Sequence, residues 1–183
     1  DLKILNVDVL SNKLVTDNPA NRCYYCKQGV FGTILEAAKN DGMTVILDGT
    51  NASDDADDRP GMKALQEMKV LSPLRMCGYV KSEIRKQSKE AGLFVYNKPS
   101  YACLATRIPT GTEIDEEKIK QVETAETFLF DLGFSDFRVR WMDNKAKIQM
   151  PESQLQALME KREVVLEELS KIFDEVLLDL RTR

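Results

Sequence analysis

The sequence contains no histidine. That absence removes histidine acid–base chemistry, histidine-based triads and histidine metal ligation from this chain. Cysteine is sparse, with four in 183 residues. That is too few for a disulfide scaffold, so a reduced, cytoplasmic setting is expected. No apolar run approaches the roughly 20 residues of a membrane span. The opening DLKILNVDVL lacks the basic start, long apolar stretch and small-residue cleavage site of a signal peptide. It also lacks an initiator Met, so the chain is expected to begin partway into a gene product. Nor is there a basic excess: 26 Lys and Arg stand against 30 Asp and Glu, a net charge of -4. That argues against a dedicated nucleic-acid binder. Chemistry is left to Cys, Asp, Glu, Lys, Arg, Tyr and the backbone.

What is present supports a folded core, with 43% hydrophobic and 31% charged residues. The length suits one domain, or one plus a smaller one. Apolar alternation predicts strands at 4–10 and 44–50 and a short one at 93–96. Helices are expected from about Cys26 to Lys39, from Pro60 onward, and from Lys81 to Ala91 with Gly92 as the stop. Strands alternating with helices predict an α/β fold with a partly parallel sheet, whose ligands sit beyond the carboxyl ends of the strands. The loop after Leu47 is then a candidate site. After Gly111 the pattern changes. A helix is expected at 115–133, a hairpin at 137–150 turning near Asp143–Asn144, a helix from Pro151 to about Phe173, and a strand at 175–180. That unit reads as a small α+β domain, with its boundary near residue 110.

Several constellations carry candidate chemistry. Cys23 and Cys26 form a CxxC at a helix start, suited to a local structural role, thiol–disulfide exchange or metal ligation. Asp48, Asp54, Asp55, Asp57 and Asp58 crowd the loop after a strand, where carboxylates either are solvated or serve magnesium as hard oxygen ligands. Arg59 beside them could pair with a carboxylate or an anionic substrate. Cys77 reads as a small buried hydrophobe. Cys103, in PSYACLATR (99–107), is either a buried small residue or a reacting sulfur. Lys98 and Arg107 are near enough in sequence to favour its thiolate if the fold brings them close. Glu126 falls inside the helical stripe of Ile119, Val122, Leu129 and Phe130, so its carboxylate needs a partner, a pocket or an interface. Arg138 and Arg140, two apart in a strand, point to one side, as in a phosphate or carboxylate site or an ordinary solvated face.

Six segments then appear in one order: NPANRCYYCK (18–27), DGTNASDDADDRPG (48–61), LSPL (71–74), KSEIRKQSKEAGL (81–93), NKPSYACLATRIPTG (97–111) and GFSDFRVR (133–140). Together they resemble the ATP-dependent sacrificial sulfur transferases that make the nickel-pincer cofactor of lactate racemase, within the PP-loop ATP pyrophosphatases. The resemblance covers nearly the whole chain. It implies a PP-loop α/β fold that is incomplete at its amino terminus, since the SGGxDS phosphate loop is not found in this sequence. Residues 1–110 would be the later part of that domain with the reactive-cysteine loop. Residues 111–183 would form a small α+β domain for substrate binding and oligomerisation.

The resemblance also implies ATP and Mg2+ as cofactors and a small nucleotide-like substrate, a pyridinium dicarboxylate mononucleotide. A carboxylate is adenylated, a cysteine attacks it, and cleavage of the Cβ–S bond leaves a thiocarboxylate on the substrate and dehydroalanine on the protein. Matched motif by motif, Cys103 is the sulfur donor, Arg107 steadies an anionic substrate and Glu126 is the site glutamate. Arg138 and Arg140 correspond to a phosphate-binding pair. Asp48, Asp54, Asp57, Asp58 and Arg59 correspond to a loop that positions magnesium or substrate. A related branch holds a [4Fe-4S] cluster, for which Cys23, Cys26 and Cys103 would be the ligands here. A homo-oligomer, as in the family's hexameric ring, is implied, with neither nucleic acid nor membrane as partner. The chain departs from the pattern in two places: WMDNKAK follows FRVR where a His is common, and DLRTR stands in place of a GYRxGS-like tail, leaving Arg181 as the substitute for a late arginine. A PP-loop tRNA-thiolating or amidating enzyme and a non-catalytic fragment are the alternatives.

Overall fold

The computed structural model describes residues 2–54 and 60–182. It is an α/β fold of several helices and a small mixed sheet. Packing divides the chain between Lys98 and Pro99 into two units.

The first unit is mainly helical. Helix α1 (Lys13–Thr16) starts where the Asn12 side chain accepts from the Leu14 amide at 3.0 Å. Helix α2 (Arg22–Asn40) carries the CxxC near its start and packs on α3 (Pro60–Glu67). Gly61 makes that approach close, because a Cβ there would meet the Lys27 side chain at 3.0 Å. Helix α4 (Pro73–Met76) opens on its proline. Helix α5 (Lys81–Glu90) starts with the Glu83 carboxylate accepting from the Val80 amide, and Gly92 beyond its end has φ of 71°.

The strands expected at 4–10, 44–50 and 93–96 do not form. The first has no regular structure, the third is a turn, and the second makes a single parallel bridge, Leu47 to Leu71. Alternation defines an apolar face, but a strand also needs a neighbour for its N–H and C=O groups. Among the described residues these segments have only that bridge, and Leu2, Ile4, Val45 and Leu47 stay exposed. The partly parallel sheet expected in the first 110 residues is therefore not seen among them.

The second unit holds the sheet. Strands β1 (Arg138–Met142) and β2 (Lys145–Gln149) pair antiparallel with Arg138 opposite Gln149, and β3 (Glu175–Leu178) adds parallel to β2. The hairpin turns at Asp143 and Asn144, both left-handed at φ of 51° and 57°, as a two-residue turn matched to strand twist requires. Helix α6 (Glu116–Asp131) is capped by the Asp115 carboxylate on the Lys118 amide and packs on β1. The long helix expected after Pro151 is broken into a 3-10 turn, α7 (Leu155–Glu160) and α8 (Arg162–Leu169). The break is at Lys161, whose Nζ donates to the Leu132 carbonyl at 2.7 Å. Ala125, Leu129, Phe137, Val139, Ile148, Met150, Leu169 and Phe173 form the core.

Candidate functional site

The site grows from α6. Its buried face carries Val122, Ala125, Glu126 and Leu129, so a carboxylate sits among apolar side chains and is only 1% exposed. The loop before α6 supplies the counter-charge. A 3-10 turn over Leu104–Arg107 carries Arg107 inward, also 1% exposed. Its Nε donates to Glu126 Oε1 at 2.7 Å and its Nη2 to Oε2 at 3.0 Å. Oε1 also accepts from the Val139 amide at 2.9 Å, which ties β1 to the same carboxylate. A forked guanidinium against a carboxylate is the geometry in which a buried pair offsets its desolvation.

The remaining Arg107 nitrogen holds the turn itself. Nη1 donates to the carbonyls of Ala102 and Cys103 at 3.2 and 3.4 Å, and to Thr106 Oγ1 at 2.9 Å. The Thr106 hydroxyl donates to the Cys103 carbonyl at 2.7 Å. Strand β1 contributes two more guanidiniums from one face. Arg138 Nη2 donates to the Ser100 carbonyl at 2.6 Å and Nη1 to the Phe137 carbonyl at 2.6 Å. Arg140 Nη1 donates to the Thr106 carbonyl at 3.0 Å, while its Nε is held by Gln149 across the hairpin. Three arginines thus grip the carbonyls of one short loop. The Cys103 thiol in that loop is free and exposed.

Tyr101 lies among these cations. Arg107 is 5.1 Å and Arg138 5.6 Å from its ring centre, the Phe130 ring lies at 5.8 Å, and its hydroxyl is hydrogen-bonded to the Glu126 carboxylate. Burial, then the Glu126 carboxylate, push its phenol up to about 12, against the two arginines. The arrangement is an exposed thiol on a turn fixed by three arginines, of which Arg107 and Arg138 are buried and Arg140 is not.

The structure brings Cys103, Arg107, Glu126, Arg138 and Arg140 together within the second unit, and the loop carrying Cys103 belongs to this unit rather than to the first. Asp48 and Asp54 lie in the first unit. Asp48 accepts from the Thr50 hydroxyl at 2.6 Å and amide at 3.2 Å. Burial raises its carboxyl, but hydrogen bonds from Ser72 and Thr50 and the charge of Lys27 outweigh that and hold it below the usual range. Asp54 accepts from the Asn51 amide at 3.0 Å. Asp55, Asp57, Asp58 and Arg59 lie outside the described residues. Cys77, expected to be buried, is exposed at the end of α4.

The cofactor expectation is corrected. Among the described residues no group of three or more Cys, Asp, Glu or His could hold a metal ion. Cys23, Cys26 and Cys103 therefore do not form a [4Fe-4S] site, which needs about three convergent thiolates. Asp48 and Asp54 accept hydrogen bonds from Thr50 and the Asn51 amide. Sequence reasoning missed Tyr101 and Thr106, although both stand within three residues of Cys103. Neither has a spacing signal, since their roles depend on where Arg107 and Arg138 reach.

No protein-family model matches the chain. It is 37% identical over 171 residues to an uncharacterized protein of Synechocystis sp., covering 93% of this chain and 63% of that protein. It is 31% identical over 161 residues to an uncharacterized protein of Methanocaldococcus jannaschii, covering 88% of this chain and 63% of the relative. A third relative, 34% identical over 149 residues, is the pyridinium-3,5-bisthiocarboxylic acid mononucleotide synthase of Lactiplantibacillus plantarum, with 81% of this chain and 54% of that enzyme covered. The chain thus spans between 54% and 63% of the length of these curated relatives. No helix among the described residues is long and apolar enough to cross a membrane. The chain is a distant homologue of a bisthiocarboxylic acid mononucleotide synthase.

Proposed function

We propose that this chain belongs to the PP-loop sulfur transferases and gives the Cys103 sulfur to an adenylated carboxylate of pyridinium-3,5-biscarboxylic acid mononucleotide. The observation that carries the reading is the exposed Cys103 thiol on a turn whose carbonyls are held by Arg107, Arg138 and Arg140. Homology to a synthase of the bisthiocarboxylic product supports the substrate class.

In this reading the Cys103 thiolate attacks the acyl-adenylate carbonyl. A C–S bond forms and the C–O bond to AMP breaks, AMP leaving with the electron pair. A base then takes the Cα proton of residue 103, and its electron pair forms the Cα=Cβ bond. The Cβ–S bond breaks with its electrons on sulfur, so the substrate leaves as a thiocarboxylate and the protein keeps dehydroalanine. No oxidant or reductant is needed. Arg107 fixes the turn and Glu126 neutralises it. Arg140, half-exposed, offers a donor to the substrate phosphate, with Arg138 behind it. Arg59, Asp48, Asp54, Asp57 and Asp58 are assigned to substrate contacts. Residues 111–183 serve substrate binding and self-association in a homo-oligomer.

The test is intact mass of the full-length protein before and after turnover with the adenylated mononucleotide. The expected result is loss of the elements of one hydrogen sulfide, mapped to Cys103, in proportion to thiocarboxylate formed. Product formed while Cys103 keeps its sulfur would overturn the reading.

A further inference from the structure

Residues 100–106 are held mainly by cations. Arg107 and Arg138 donate to the carbonyls of Ser100, Ala102 and Cys103. Two guanidiniums gripping one short loop repel each other. The Glu126 carboxylate answers Arg107 directly. What lies against both of them is one ring, Tyr101, whose centre is 5.1 Å from Arg107 and 5.6 Å from Arg138. An aromatic face is electron-rich, so it lets two cations share one side chain that no aliphatic residue could replace. The same ring is two residues before Cys103 and rests on Phe130 of α6, whose ring lies 4.6 Å from Phe137 in the core. A continuous path of contacts therefore runs from the core through Phe130 and Tyr101 to the loop that presents the thiol.

We infer that Tyr101 is a positioning residue for Cys103: its ring, shared by Arg107 and Arg138, sets the pose of the donor loop. It touches neither substrate nor sulfur in this role and acts through the two arginines. The inference rests on the reading of Cys103 as donor for its effect on rate, but its effect on the loop is independent of that reading. The ring face is what the two arginines use, while the hydroxyl bonds the Glu126 carboxylate, a bond phenylalanine gives up while keeping the ring. Phenylalanine should therefore preserve the pose, and leucine, which can still pack on Phe130, should not.

The experiment compares Tyr101→Phe, Tyr101→Leu and wild type in the full-length protein. Two readouts are taken: the single-turnover rate of sulfur loss from Cys103 with the adenylated mononucleotide, and hydrogen exchange of the Thr106 and Ile108 amides. Those amides donate to the Cys103 and Ala105 carbonyls, so they report the turn directly. Expected are a rate for Tyr101→Leu down by about tenfold, a rate for Tyr101→Phe within about threefold of wild type, and exchange at both amides accelerated only by leucine. Leucine matching wild type would show that apolar packing suffices and would overturn the inference. Phenylalanine as impaired as leucine would assign the role to the hydroxyl and overturn it equally. If wild type keeps its Cys103 sulfur, the donor reading fails by itself. The positioning role is then decided by exchange alone, standing if leucine but not phenylalanine loosens the turn and falling if the two behave alike.

Discussion

The sharpest consequences at the scale of single residues come from the contrast between Cys103 and Glu126. Cys103 is exposed and its side chain closes no core. Cys103→Ala should therefore abolish sulfur transfer while changing stability by less than about 0.5 kcal/mol, a pair of outcomes read from product formation and urea unfolding. Glu126 behaves oppositely. It is buried against Arg107 and accepts the Val139 amide, so Glu126→Gln leaves a buried guanidinium without its counter-charge. Breaking such a pair costs about 3–5 kcal/mol. Urea unfolding should show a loss of that order, and a loss under about 1 kcal/mol would mean that Arg107 finds another partner. The sequence marks Glu126 clearly, because a carboxylate in an apolar stripe demands explanation. It does not mark Arg107 as the partner, since nothing in the spacing of residues 107 and 126 says that a 3-10 turn will carry one under the other. Nor does it show that Arg138 and Arg140, expected as an anion pair, also hold the Ser100 and Thr106 carbonyls.

Among the elements, legibility follows the range of the interactions that make each one. Helices α2, α3, α5 and α6 are stated by local signals: Pro60 at a start, Asp115 as a cap, Gly92 as a stop. The β1–β2 hairpin is local too, and its turn makes a prediction. Asp143 sits at φ of 51°, a conformation that a β-branched residue adopts only under strain. Asp143→Val should cost about 1–3 kcal/mol in chemical unfolding. Asp143→Gly should be neutral or stabilising by a few tenths. Equal stability of the valine and glycine variants would show that the turn has relaxed to another type. The strands expected at 4–10 and 44–50 fail for the converse reason. Their alternation is real, but pairing is decided by partners distant in sequence, and among the described residues Leu47 finds only Leu71. The continuous helix expected from 151 to 173 is instead broken at Lys161, whose φ of -98° and ψ of 9° leave the helical region, a local backbone choice that apolar periodicity does not report.

For the whole molecule, the distribution of buried apolar side chains sets where stability resides. The second unit owns a continuous core from Ala125 to Phe173. In the first, the buried hydrophobic side chains among the described residues are Val15, Ala64, Leu65 and Val70, while Leu2, Ile4, Met43, Val45, Leu47 and Phe94 are all more than half exposed. Each large apolar side chain left in water forgoes about 1.5–3 kcal/mol relative to burial. Amide exchange should therefore be slowest in α6 and the three strands and fast through residues 2–54. Rising urea should release the first unit before the second, and equal protection across Lys98–Pro99 would refute this. Acid adds an independent signature. Asp179, just beyond β3, accepts from Gln149 at 2.7 Å, from the Arg181 amide at 3.1 Å and from Lys147 at 3.1 Å. Chiefly the Gln149 hydrogen bond, with Arg181 and Lys147 behind it, holds its carboxyl down to about 2. A carboxyl lowered in the folded state stabilises above its unfolded value of about 3.9 and loses that contribution as the pH falls through its folded value. The second unit should thus weaken between about pH 4 and pH 2, and Asp179→Asn should flatten that slope while leaving exchange in the first unit unchanged. A slope that survives the substitution would place the acid-sensitive group elsewhere in the unit.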